Sequence, residues 1–171
     1  MKRLSVGKKR LLAVLFAFLT LLVWALLGSK YGLEVTNYVL SSPKLAAPIR
    51  VVQMTDLHNS EFGENNERLV RMVQKQSPNL IFMTGDMLNG REDKTEIAVS
   101  LVRSLTEVAP VYFSYGNHEV THEQMFGRDL TALFEEAGAT VLNRTYEDVT
   151  VNGQTIGYTV KTGSKRRGLL R

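Results

Sequence analysis

Cysteine is absent from all 171 residues. That excludes disulfides, a thiolate nucleophile and a zinc–thiolate site, and says little about compartment. Histidine is nearly absent too: His58, His118 and His122 are the whole supply. Only four prolines occur, and Pro43, Pro48, Pro78 and Pro110 each fall where one predicted element gives way to the next. There is no internal repeat and no low-complexity segment before the last ten residues. The longest stretch without any charge runs from Leu11 to Ser29.

Charge is unevenly placed. The formal +4 hides two basic ends: Lys2, Arg3, Lys8, Lys9 and Arg10 at the start, and Lys161, Lys165, Arg166, Arg167 and Arg171 at the finish. Those ten leave 11 basic residues against all 17 acidic ones, so the intervening chain carries about −6. A basic nucleic-acid face is therefore not expected on the globular part.

The uncharged run reads LLAVLFAFLTLLVWALL, and with Gly28 and Ser29 it reaches 19 residues. That is close to the ~20 needed to cross the hydrocarbon core as a helix. Trp24 and Tyr31 lie toward its outer end, where amphipathic rings favour the interface. Five basic residues precede it and only Lys30 follows closely. The expected topology is single-pass in the cell membrane, with 1–10 a basic cytoplasmic segment, 11–29 a transmembrane anchor and the domain extracytoplasmic. A cleaved signal peptide fits less well, because its apolar region is usually about 7–15 residues. A buried core helix is the third reading.

Beyond the anchor, hydrophobic periodicity predicts alternating strands and helices. Glu34 to Leu40 reads as a lead-in strand. Ile49 to Met54, Leu80 to Met83 and Val111 to Phe113 read as buried strands, and Val141-Leu142 as a fourth. Glu64 to Gln76 and Thr95 to Val108 have helical spacing. Thr121 to Gln124 has the pattern of a capping box, opening a helix that carries Leu130, Leu133, Phe134 and Ala137 inward and ends at Gly138. Glu147 to Val151 and Gln154 to Val160 flank Asn152-Gly153, a pair suited to a two-residue hairpin turn. The sum is an α/β domain with a largely parallel sheet.

Short polar motifs follow three of these strands: Asp56-Leu57-His58, Gly85-Asp86 and Gly116-Asn117-His118-Glu119. Side chains at the carboxyl ends of neighbouring parallel strands converge on one crevice. Asp, His, Asp, Asn and His gathered there make an oxygen- and nitrogen-rich pocket for divalent metals. Asp56 and His58, two apart, could share one ion. Asp86 could bridge two, and Asn117 offers an amide oxygen to the second. His118 is placed to give a proton to a leaving oxygen. Two bridged ions lower the pKa of a shared water and clamp the attacking and leaving oxygens of phosphoryl transfer.

In these blocks the chain resembles the calcineurin-like metallophosphoesterase superfamily, in its membrane-anchored bacterial branch. That pattern runs D-x-H, G-D, G-N-H-[DE], G-H and G-H-x-H, and the first three blocks are present. The resemblance implies the N-terminal half of a four-layer α/β/β/α fold, preceded by one transmembrane helix. It implies two divalent ions (Mn, Fe or Zn), with Asp56, His58, Asp86 and Asn117 as ligands and His118 catalytic. Activity would be hydrolysis of a phosphoester, lipid-linked or nucleotide-linked, at a membrane lipid surface. The G-H and G-H-x-H blocks are missing. After Gly157 the sequence turns polar and basic, so the expectation is a truncated or frame-shifted product. Its partial domain would cover 30–157 and a non-family tail 158–171. The competing function is a catalytically inactive anchored remnant that binds metal weakly.

Several residues have plainer readings. Glu119 is expected to be structural, orienting a neighbour. His122 is expected to be a solvated residue in the first turn of its helix, and Arg91 a solvated loop charge within reach of a phosphate. Asn59, next to His58, is a candidate for touching substrate.

Overall fold

The computed structural model describes residues 5–142 and 146–159. The chain divides into two units, residues 1–40 and 41–171.

The first unit holds helix α1, Val6–Tyr31. Its apolar side chains are exposed around the whole helix from Leu11 to Trp24. Among the described residues, no helix is long and apolar enough to cross a membrane. The lead-in strand expected over Glu34 to Leu40 is not formed, and Tyr38, Val39 and Leu40 are almost fully exposed. Strand propensity alone does not hold an extended segment; it needs a ladder to join, and none pairs with it among the described residues.

The second unit is built on four parallel strands in the order β1-β2-β3-β4: Val51–Met54, Leu80–Thr84, Val111–Ser114 and Thr140–Leu142. All four were expected, with ends differing by one or two residues, but β1, expected as a buried strand, lies at the sheet edge with Val51 and Gln53 exposed. Alternation along β2 and β3 sends residues to opposite faces. Ile81, Met83, Val111 and Phe113 face the helices and pack on Leu101, Leu105, Leu130 and Phe134. Phe113 stacks on Phe134 with ring centroids 4.0 Å apart. Leu80, Phe82 and Tyr112 face the other way, against Val149, Val151 and Ile156. Those belong to the hairpin β5 (Tyr146–Val151) and β6 (Gln154–Thr159), whose turn has Asn152 and Gly153 at φ 50° and 73°. Positive φ at both turn residues is what a type I′ turn requires. Among the described residues the layers are thus helices, a parallel sheet and a two-stranded antiparallel sheet. Val160 and the rest of the basic tail lie outside them.

The helices are α2 (Glu67–Lys75), α3 (Glu96–Thr106), α4 (Asn117–Phe126) and α5 (Leu130–Glu136). Two differences from expectation bear on the site. The helix predicted from Glu64 starts three residues late, because Asn65 and Asn66 are both left-handed and form only a 3₁₀ turn with Glu64. The helix predicted to open at Thr121 opens at Asn117 instead. Thr121 is inside α4, where its hydroxyl donates to the Asn117 carbonyl at 2.8 Å. Gly127, at φ 64°, ends α4. Asp129 then starts α5 by accepting the Ala132 N–H at 2.9 Å. One expected helix is therefore two, split where glycine takes the left-handed C-terminal position.

Candidate metal centre

Parallel register sets Met54 beside Met83, and Thr84 beside Ser114. The three polar motifs therefore leave neighbouring strands at one edge of the sheet. The connecting backbone is tightly wound there. Asp56, His58, Asn59 and Asp86 have φ of 58°, 48°, 59° and 56°. A left-handed conformation costs a non-glycine residue on the order of 1 kcal/mol, less for Asn and Asp, and persists only where the surroundings impose it. Here backbone bonds impose it. The Asp56, His58 and Asn59 N–H groups donate to the Gly85, Asp86 and Met87 carbonyls at 3.2, 3.1 and 3.0 Å. The loop after β1 is thereby stitched to the loop after β2.

The loop after β2 is in turn fastened to the loop after β3, and Glu119 does it. Its side chain is wholly buried. Oε2 accepts the N–H groups of Asp86 and Gly116, both at 2.8 Å. Oε1 accepts those of Met87 and Leu88 at 2.8 and 3.1 Å. Four backbone donors on one buried carboxylate satisfy what would otherwise be orphaned polar groups. The reading of Glu119 as an orienting residue is what the contacts show. The approach is close enough that a Cβ on Gly85 would strike the Gly116 backbone, and one on Gly116 would strike Asp86. Both glycines are there to let two loops touch.

These constraints bring His58, Asp86 and His118 together, with one potential ligand atom from each lying within 4.8 Å of the others. Asp56 joins through His58, its Oδ1 3.6 Å from His58 Nε2. Ligand bonds of about 2.0–2.2 Å place neighbouring donors some 3–4 Å apart, so His58 and Asp86 need little adjustment to share one divalent ion, with His118 beside them. Asp86 Oδ1 accepts the His118 N–H at 2.9 Å, which fixes the carboxylate rotamer. Asn117, the first residue of α4, is exposed.

His118 has a distinct position. Its Nδ1 accepts the Gly90 N–H at 3.0 Å, and its ring sits edge-on to His58 with centroids 4.5 Å apart. A neutral imidazole that accepts at Nδ1 carries its proton on Nε2. In that tautomer Nε2 is a donor and has no lone pair for a metal. Gly90 is needed for this contact too, since a Cβ there would meet the His118 backbone.

Further out, Asp93 and Arg128 pair through two bonds of 2.5 and 2.9 Å, tying the loop after Asp86 to the α4–α5 connection. The Arg128 hydrogen bond holds the Asp93 carboxyl below the usual aspartate range. Stability from this pair is thus fully present above the ordinary aspartate value and lost as pH falls through the lowered one. The Tyr115 hydroxyl donates to Glu123 at 2.8 Å and lies 2.9 Å from the Thr131 hydroxyl, and burial pushes its pKa up.

His122 differs from expectation. It is wholly buried beside Phe126, and neither ring nitrogen has a hydrogen-bond partner among the described residues. The cause is the earlier start of α4, which places residue 122 one turn beyond Glu119 on its buried side. Asn59 is part-exposed, but both polar atoms of its amide are buried and likewise unpartnered among the described residues. Arg91 is exposed, as expected.

A parallel α/β domain that gathers carboxylate and imidazole side chains at adjoining strand ends has the make-up of a metal-site fold. Residues 49–164 match the calcineurin-like phosphoesterase family, and the chain belongs to it. It is similar to an uncharacterized metallophosphoesterase, Cj0846, of Campylobacter jejuni, with 24% identity over 91 residues, covering 52% of this chain and 24% of that protein. It is also similar to the uncharacterized protein YpbG of Bacillus subtilis, with 23% identity over 154 residues, covering 90% of this chain and 57% of that protein. The chain thus spans about a quarter and somewhat over half of the lengths of these two relatives.

The Glu119 contacts yield a prediction. Glu119→Gln presents an NH₂ group to two of the four backbone donors. With roughly 1–3 kcal/mol for each of the two buried donors left unsatisfied, the variant should lose about 2–6 kcal/mol of unfolding free energy. Urea unfolding followed by circular dichroism of both proteins in the same detergent measures this. An unchanged midpoint would contradict the fastening role.

Proposed function

We propose that the chain binds divalent metal at this strand-end site and hydrolyses phosphoesters. The observation that carries the reading is the convergence of His58, Asp86 and His118, with Asp56 adjoining, inside the segment matching the family. Asp56, His58 and Asp86 would hold the first ion, with Asp86 shared toward a second that Asn117 also meets. Bound divalent ions supply charge neutralisation for the phosphoryl group and acidify water. The chain's own residues do the rest. The left-handed turns at Asp56, His58 and Asp86 present their side chains without further reorganisation, and His118 delivers the Nε2 proton to the departing oxygen.

The donor supply argues for a weak second ion. Of the three histidines, His122 is buried in α4 and His118 is committed at Nδ1. Among the residues present, the second ion would have only Asp86 and Asn117 as donors, so the reading for these residues taken alone is metal binding with impaired turnover. The same shortage favours the second reading, an inactive anchored protein that binds metal weakly.

For location, we propose that α1 anchors the domain outside the cytoplasmic membrane. A helix apolar on all sides is at home in lipid or a protein core rather than on a soluble surface. The five basic residues before Leu11 set the orientation. A lipid-linked or nucleotide-linked phosphoester is the proposed substrate class.

Two measurements test these readings. Mn²⁺ titration by calorimetry should show Asp86→Asn lowering affinity at least about 100-fold, beyond the 10–100-fold usual for outer-shell partners. His118→Ala should leave Mn²⁺ affinity intact while abolishing hydrolysis of an aryl phosphate. Equal Mn²⁺ binding by wild type and Asp86→Asn would overturn the metal site. Separately, protease added to intact spheroplasts should digest the domain, and complete protection would overturn the topology.

A further inference from the structure

The amide of Asn59 stands out among the side chains around the site. Both of its polar atoms are shielded from solvent, yet neither has a hydrogen-bond partner among the described residues. Buried polar groups are nearly always paired, and leaving a donor or acceptor unsatisfied is costly. The backbone around this amide, in contrast, is fully specified. Asn59 is left-handed at φ 59°, its N–H donates to the Met87 carbonyl at 3.0 Å, and it directly follows His58, whose N–H donates to Asp86. The fold therefore spends backbone strain to hold an asparagine beside two proposed metal donors, and gives its amide nothing to bind. Left-handed geometry narrows the choice toward Gly, Asn and Asp. Of these, only Asn brings neutral N–H donors, and Asp would add a negative charge beside Asp56 and Asp86.

We infer that Asn59 is a substrate-binding residue, whose Nδ2 donates to a non-bridging oxygen of the phosphoryl group. The residue is part-exposed and directly follows His58, and the inferred role requires its amide to turn toward the crevice when substrate binds. An incoming phosphoryl oxygen satisfies a donor that the unliganded protein leaves unpaired. The ligand class is a tetrahedral oxyanion, whether the phosphoryl end of an ester or free inorganic phosphate. This inference rests on the metal site proposed above.

The test uses the full chain in mild detergent, with inorganic phosphate as the probe and calorimetry as the readout. Asn59→Gly keeps the left-handed turn and removes the amide. Loss of one hydrogen bond to a charged oxygen should weaken phosphate binding to the Mn²⁺-loaded protein about tenfold or more. Mn²⁺ affinity should be unchanged, and the melting temperature should not fall, because an unsatisfied buried group has been removed. Asn59→Asp keeps size and turn, and should weaken phosphate binding further by repulsion. Unchanged phosphate binding in Asn59→Gly, with Mn²⁺ still bound, would overturn the inference and point to an internal water as the amide's partner. A parallel loss of Mn²⁺ affinity or of melting temperature would also overturn it, by showing a structural role. If wild type itself bound no Mn²⁺, the metal site would fail first, and the two failures are distinguishable.

Discussion

A single buried carboxylate decides whether the strand-end loops form a site. Glu119 accepts four backbone N–H groups, three from the turn after β2 and one from the turn after β3. Without such an acceptor those donors would face each other in a space that no solvent reaches. The close approach of Gly85 to Gly116 would then be unfavourable rather than enforced. The same carboxylate starts α4, because its bond to Gly116 is the reciprocal half of a helix cap. The start of α4 in turn sets where Asn117, His118 and His122 lie. Fold and candidate site therefore share one point of attachment.

From that point the constraints run outward in order. Glu119 positions Asp86; the Asp86 and Met87 carbonyls hold His58 and Asn59 in left-handed turns; Asp86 Oδ1 orients His118; and Gly90 fixes its tautomer. Left-handed non-glycine residues are costly, and proteins concentrate them where function needs them. Their density at this one edge is itself a mark of the site. The hydrophobic core explains the rigidity beneath it, since Ile81, Met83 and Phe113 are fully buried in the strands that carry the loops. Family membership agrees with the geometry.

β2 and β3 were legible in the sequence because buried parallel strands are nearly continuous apolar runs with polar breaks; β1 was legible as a strand, but its place at the sheet edge leaves it partly exposed. The hairpin was legible from Asn152-Gly153 alone. The gathering of His58, Asp86 and His118 at one edge of the sheet was legible from their positions after strands. Other features were not. Thr121 to Gln124 satisfies the local rule for a helix start, but the long-range bonds of Glu119 begin the helix four residues earlier. His122 is moved from an expected solvated turn to the interior by that same shift. The tautomer of His118 depends on Gly90, 28 residues away, and the exposed amphiphile Glu34 to Leu40 has strand composition but no ladder. Each miss comes from a contact distant in sequence overriding a valid local signal.

Glu119 clamps the Asp86 and Gly116 turns into one unit, and native-state hydrogen exchange reads those bonds directly. The amides of Asp86, Met87, Leu88 and Gly116 should exchange as slowly as those inside β2 and β3, although they belong to loops. One of the two pairs, Asp86 with Gly116 or Met87 with Leu88, should become fast in Glu119→Gln, while the strand amides stay protected under native conditions. Fast, loop-like exchange of these four amides in the wild-type protein would contradict the account.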